Sequence, residues 1–214
     1  MEKSKKNITN IVVSRYIKNV DFVYRINNNK NVHILVYDKE NPNNPLNIPV
    51  NKGHEASVYL KYIIDYYDNL PDYTFFIHDE EFSWHHSGSI IDKYREAVMS
   101  NEKYYNINDK AHWNKPFSIH PDIYKALLDW YDCYIEEYIP ISKVPNNIDF
   151  IYNYYGCAQF LIHKDLIRNL PKEFYVRLYN WIIKTSIPNY YSSRFLEWTW
   201  HIFWVIYPKF IKNK

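Results

Sequence analysis

The sequence predicts an α/β protein of three layers, with a mainly parallel central sheet covered by helices on both faces. Three observations carry this expectation. Apolar, β-branched and aromatic runs of strand length recur early, at Ile8–Ser14, Val32–Tyr37 and Tyr73–Ile77. An amphipathic helical pattern separates the second run from the third. The runs are near-continuous, as strands buried on both faces require.

Taken in order, ITNIVVS is the first strand, and Arg15-Tyr16 stand at its end. Val20–Ile26 reads as a short helix. VHILVY is the second strand, ending in Asp38. Asn41–Pro49 holds three prolines and four asparagines, which makes it a loop. Gly53 and Glu55 open a helix whose apolar positions Ala56, Tyr59, Leu60, Ile63, Ile64 and Tyr67 fall on one stripe. The Pro71-Asp72 turn signal bounds the third strand. Ile90–Met99 and Asp122–Tyr138 read as helices, and Asn101–Phe117 as a long excursion. Cys157–His163 reads as a further strand, followed by helices at Lys172–Lys184 and Ser192–Ile206. The second half is less regular, and the whole reads as a single domain.

The 214 residues suffice for one substantial core, and a hydrophobic fraction of 47% excludes global disorder. With 23 Tyr, 11 Phe and 7 Trp the chain is rich in aromatics. That richness fits either compositional bias or a surface that stacks sugars or bases. A net charge of +2 excludes a nucleic-acid footprint. No apolar run of about 18 residues is present, so no transmembrane segment is expected. Phe195–Tyr207 comes closest, and reads as a buried helix or, less well, as a peripheral membrane contact. No apolar run follows Lys3, Lys5 and Lys6, which argues against a secretory signal and for a cytoplasmic protein. Cys133 and Cys157 lack metal-motif spacing and read as buried free thiols.

The third strand ends abruptly in His78-Asp79-Glu80-Glu81. Ligands of open α/β sheets bind beyond the carboxyl ends of strands, and three carboxylates there suit a divalent cation carrying a phosphorylated ligand. Phe82, Trp84, His85 and His86 follow closely. Strand-end residues Ser14, Arg15, Tyr16 and Asp38 could stack a base and bond a ribose. Lys52 precedes a helix N-terminus, an arrangement that favours a diphosphate, although Glu55 also reads as an ordinary first-turn acid. Glu197 and His201 stand four apart, on one face of the last helix. Neither GxGxxG nor GxxxxGK[ST] occurs, which excludes a dinucleotide fingerprint and a P-loop. His78, His85 and His86 have no familiar zinc spacing.

Three blocks carry a resemblance: NKGHEASVYLKYIIDYYDNLPDYTFFIHDEEFSWHH, YYGCAQFLIHKDLIRNLPKEFY and YYSSRFLEWTWHIFW. They resemble a family of fungal and viral proteins, chlorella viruses included, that carries a GT-A-type glycosyltransferase domain. The resemblance implies a GT-A-like fold and a metal-dependent transfer of a hexose or deoxyhexose, glucose- or rhamnose-like, from a UDP-sugar to a glycan acceptor. It also implies Mn²⁺ or Mg²⁺, a role in viral glycan synthesis and a place in the host cytoplasm. Asp79-Glu80-Glu81 matches the family's DxD position but ends in Glu, so Asp79, Glu81 and His201 are the expected metal ligands. Ser14, Arg15, Tyr16 and Asp38 fall where such folds hold the nucleoside, and Lys52, read from its place before the helix, would face the diphosphate. Gly156 and Gln159 would line the donor sugar and acceptor. Asp79 and Glu197 are the expected catalytic carboxylates, and a retaining course is slightly favoured. A metal-dependent phosphoester hydrolase and a non-catalytic carbohydrate-binding module are the alternatives.

Overall fold

The computed structural model of the chain describes residues 7–26, 30–109, 121–140 and 158–212. Its centre is one five-stranded sheet, ordered β2-β1-β3-β5-β4. The strands are β1 (Thr9–Arg15), β2 (Val32–Asp38), β3 (Tyr73–His78), β4 (Tyr104–Asn106) and β5 (Phe160–His163). β2 and β3 run parallel to β1 on its two sides. β5 pairs antiparallel with β3, and β4 antiparallel with β5. The sheet is therefore mixed: its first three strands run parallel, as expected, and the last two add an antiparallel edge.

The pleat divides the core in two. Val12, Phe76, Phe160 and Ile162 join one apolar cluster. Their chain neighbours Ile11, Val13, Phe75, Ile77 and Leu161 join the other. The first cluster is closed by α1 (His54–Tyr66), α3 (Pro121–Tyr134), α5 (Lys172–Lys184) and α6 (Asn189–Glu197). The second is closed by a 3₁₀ turn, Asp21–Arg25, and by α2 (Ile90–Met99). Helical residues thus cover both faces of the sheet.

Much of the aromatic excess goes into this core. Tyr59 packs on Phe76 with ring centroids 4.5 Å apart, and Trp200 stacks on Trp204 at 4.9 Å. Phe195, Trp198, Trp200, Phe203 and Trp204 are all buried, so the segment weighed for a membrane surface is core. No helix among the described residues is long and apolar enough to cross a membrane.

Several boundaries differ from expectation. The expected last helix is interrupted: α6 stops at Glu197, and a π-helical turn, Ile202–Ile206, leads into α7 (Tyr207–Lys212). A short α4 (Lys164–Arg168) follows β5 directly, with the His163 side chain accepting the Asp165 N–H at its start. β4 lies within the stretch read as an excursion. Cys133 is exposed, not buried, because Leu127, Trp130 and Tyr131 form the buried stripe of α3 and Cys133 falls off it. Cys157 lies outside the described residues.

Candidate functional site

The connectivity places a crevice at the carboxyl ends of the parallel strands. From β1 the chain moves to β2 on one side, then returns past β1 to β3 on the other. Such a reversal leaves strand ends uncovered, and open α/β sheets bind ligands there. A cleft of about 570 Å³ occupies this position, lined by Ser14, Tyr16 and Lys18 after β1, Lys39 after β2, and His78, Asp79 and Glu80 at the end of β3. Asn51, His54 and Glu55 at the start of α1, with Asn189, complete it.

The loop after β1 is fixed by two carboxylates. Asp79 Oδ2 accepts the Tyr16 N–H at 2.9 Å and the Lys18 N–H at 3.4 Å. Asp38 pairs with Arg15 at 2.7 Å, and Arg15 Nε donates to the Lys18 carbonyl. Ser14, Tyr16 and Asp79 therefore meet in the cleft, whereas Arg15 and Asp38 buttress its rim as an ion pair. Tyr16 remains 45% exposed.

A left-handed turn aims the start of α1 into the cleft. Gly53 and His54 both have positive φ, 71° and 47°. A Cβ on Gly53 would stand 2.2 Å from Ile182 Cδ1, so only glycine fits. For His54 the conformation costs about 1–3 kcal/mol, a strain typical of sites whose surroundings hold them in place. The holding contacts are visible: Asn189 Oδ1 accepts the Gly53 N–H, and Lys52 Nζ donates to the Ile187 carbonyl at 2.8 Å. Lys52 thus anchors the turn to the α5–α6 connection and does not line the cleft, contrary to its expected diphosphate role.

Glu55 is the residue delivered by this turn. Its Oε2 lies 3.9 Å from His78 Nε2, while its Oε1 is buried without a hydrogen-bond partner. Glu197 is buried nearby, and burial together with the Glu55 charge pushes its carboxyl up to about 8. Burial lowers the His78 imidazole, opposed by Glu55 and Asp79. Burial also brings Lys39 down to about 8, again opposed by Glu55 and Asp79. Its ammonium donates to the His54 carbonyl. Gln159 sits behind the cleft, its Oε1 accepting the His78 N–H at 3.1 Å.

The expected metal set is not assembled. Glu81 pairs with Arg25 and accepts from Ser89 Oγ at 2.9 Å, which ties it to the start of α2 instead of the cleft. His201 is 1% exposed and does not line the cleft, since the helix it was expected to share with Glu197 is broken between them. Among the described residues no three His, Cys, Asp or Glu side chains form a metal-holding group. The carboxylates that do line the cleft mouth are Asp79 and Glu80, the latter paired with Lys18. A hard cation bound together with a diphosphate needs only one or two carboxylates, and Asp79 and Glu80 are the ones that could supply them here. Gly156 lies outside the described residues.

Sequence reasoning missed Lys18, Lys39, His54, Glu55 as a cleft residue, and Asn189. Lys39 directly follows the strand-end Asp38, which was the available signal. Nothing local marks Asn189.

Fold and site together define an open-sheet α/β protein with a polar, charged cleft at the carboxyl ends of its parallel strands. The chain belongs to the DUF3431 family, described as a protein of unknown function, which it matches over residues 11–211. No curated protein and no solved structure matches it.

Proposed function

We propose that the protein is a metal-dependent GT-A-type glycosyltransferase that binds a UDP-sugar in the strand-end cleft and transfers a hexose or deoxyhexose to a glycan acceptor. One observation carries this reading: an exposed aromatic residue, two lysines and three carboxylates line a single cleft, as Tyr16, Lys18, Lys39, Glu55, Asp79 and Glu80. Tyr16 offers its face to a flat base. Lys39 and Lys18 present ammonium groups to a diphosphate. Asp79 and Glu80 would hold Mn²⁺ or Mg²⁺, whose chemistry is to neutralise the departing diphosphate. The ion pair of Arg15 with Asp38 keeps Ser14 and Tyr16 in register with Asp79.

Glu197 is buried and outside the cleft lining, so it does not stand where an acceptor in the cleft would be deprotonated. This favours the retaining course, which needs no such base. A two-metal phosphoesterase is less well supported, because the described residues offer no group of three ligating side chains. A purely aromatic sugar-binding surface is also less well supported, because so many of the rings are buried.

Calorimetry of UDP with and without Mn²⁺ tests the proposal. UDP is expected to bind, and to bind at least about tenfold more tightly with the cation, as when a charge-assisted contact is gained. Absence of UDP binding in both conditions would overturn the function; equal affinity in both would overturn only the metal's part in it.

A further inference from the structure

The deep end of the cleft holds polar atoms that the protein itself leaves unpaired. Glu55 Oε1 and His78 Nε2 are both buried and both lack a hydrogen-bond partner, and each belongs to a residue lining the cleft. Behind them the Tyr59 hydroxyl and Gln159 Nε2 are in the same condition. Buried polar groups in native proteins are overwhelmingly satisfied, so a cluster of exceptions needs a ligand or water to complete it. The backbone goes to some length to put Glu55 there, through two consecutive left-handed residues, the first of them a glycine with no room for a Cβ.

We propose that Glu55 and His78 form the subsite that reads the hydroxyl groups of the donor's sugar; this rests on reading the cleft as a nucleotide-sugar site. The chemistry separates the two ends of such a ligand. A carboxylate accepts hydrogen bonds and repels anions, so the Glu55 end disfavours phosphate and welcomes hydroxyl donors. An imidazole nitrogen can donate to or accept from a neighbouring hydroxyl. With Glu55 Oε2 and His78 Nε2 3.9 Å apart, the pair can engage two adjacent hydroxyls of one ring. Lys18 and Lys39, with Tyr16, are left for the diphosphate and the base. The ligand therefore lies with its sugar against α1 and β3. A 2-deoxy sugar or one with a blocked hydroxyl would leave one of the two polar atoms orphaned, which is how such a site discriminates.

The test compares UDP with a panel of UDP-hexoses by calorimetry, in wild type, Glu55→Gln, Glu55→Ala and His78→Ala. For the wild type, at least one UDP-hexose is expected to bind about tenfold or more tighter than UDP, the gain of a charge-assisted hydrogen bond. In the Glu55 and His78 variants, compared well below pH 8 where Lys39 stays protonated, the ratio of UDP-hexose to UDP affinity should fall towards one, and a thermal melt reports that they are folded. Equal loss of UDP and UDP-hexose affinity in Glu55→Gln would overturn the subsite, as would a wild type that binds UDP but favours no UDP-hexose over it. A wild type that binds neither would overturn the nucleotide reading and the subsite with it, an outcome distinct from the other two.

Discussion

The Asp79 carboxylate, at the end of β3, accepts the backbone N–H of Tyr16, just beyond β1, at 2.9 Å. One side chain thus shapes the loop that carries the cleft's exposed aromatic ring while facing the cleft itself. Charge and shape are separable at this position. Asp79→Asn keeps an oxygen for the two amides, whereas Asp79→Ala removes it. Both should lose the Mn²⁺-dependent gain in UDP affinity, and only Asp79→Ala should also lower stability, by about 1 kcal/mol. Calorimetry and urea melts check the two parts. An Asp79→Asn protein with an undiminished Mn²⁺ gain would remove the carboxylate from metal binding.

On the proposed reading, Lys39 should make UDP binding depend on pH. Its ammonium is brought down to about 8 by burial, against the opposing charges of Glu55 and Asp79. A protonated Lys39 attracts diphosphate and a neutral one does not, so UDP affinity should fall as pH rises through about 8. Lys39→Met should bind UDP roughly tenfold or more weakly at pH 7, with a flatter profile. A wild-type profile that is level between neutral and alkaline pH would contradict this assignment.

Glu197 should govern how stability varies with pH. Its carboxyl rises from 4.5 to about 8 on folding, through burial and Glu55, with Arg194 opposing. Across that window the native state holds more protons than the unfolded state, so stability falls as pH rises and is level below it. Glu197→Gln removes the proton uptake. It should melt close to wild type at low pH and roughly 5–10 °C higher at the alkaline end of the window. Thermal melts of both proteins across the pH range decide the matter; parallel curves would mean that Glu197 ionises normally.

Gly53 is the backbone condition for the site. Gly53→Ala forces a left-handed alanine into contact with Ile182, 2.2 Å from its Cδ1. The cost should be about 1–3 kcal/mol, with a loss of UDP-hexose preference because Glu55 is re-aimed. Adding Ile182→Ala relieves the contact but not the φ penalty, and it opens a cavity. The double variant should therefore recover part of the preference and little stability. A Gly53→Ala protein with wild-type melting and binding would show the turn to be unnecessary.

β1 and β3 were legible because they are buried on both faces, so Ile11–Val13 and Phe75–Ile77 stand out as apolar cores ahead of polar strand ends; β2, an edge strand with His33 exposed, was legible from Ile34, Leu35 and Val36. β4 was not, since the three residues Tyr104–Asn106 are too short for a periodic signal and owe their extension to pairing with β5. The strand-end rule correctly brought Ser14, Tyr16 and Asp79 to one cleft. It failed at Glu81 because spacing along a chain does not say which way a loop turns after its strand: here Arg25 and Ser89 draw that carboxylate aside. Lys52 misled for a related reason, since a lysine before a helix can equally reach a distant carbonyl, and Ile187 supplies one. The pairing of Glu197 with His201 presumed an unbroken helix, but α6 ends at Glu197 and a turn at Trp198-Thr199 separates it from His201.

The tether between the start of α1 and the α5–α6 connection ties folding order to competence. Residues 51–53 are clasped by Ile187 and Asn189, more than 130 positions later in the chain. During synthesis the parallel strands and α1 emerge early, yet the turn that aims Glu55 has no clasp until the α5–α6 segment has been made and has docked. Contacts this distant in sequence close slowly, because the loop entropy must be lost before the contacts are gained. A nascent chain would therefore own a sheet well before it owns a finished cleft, and ligand recognition would be among the last properties it acquires.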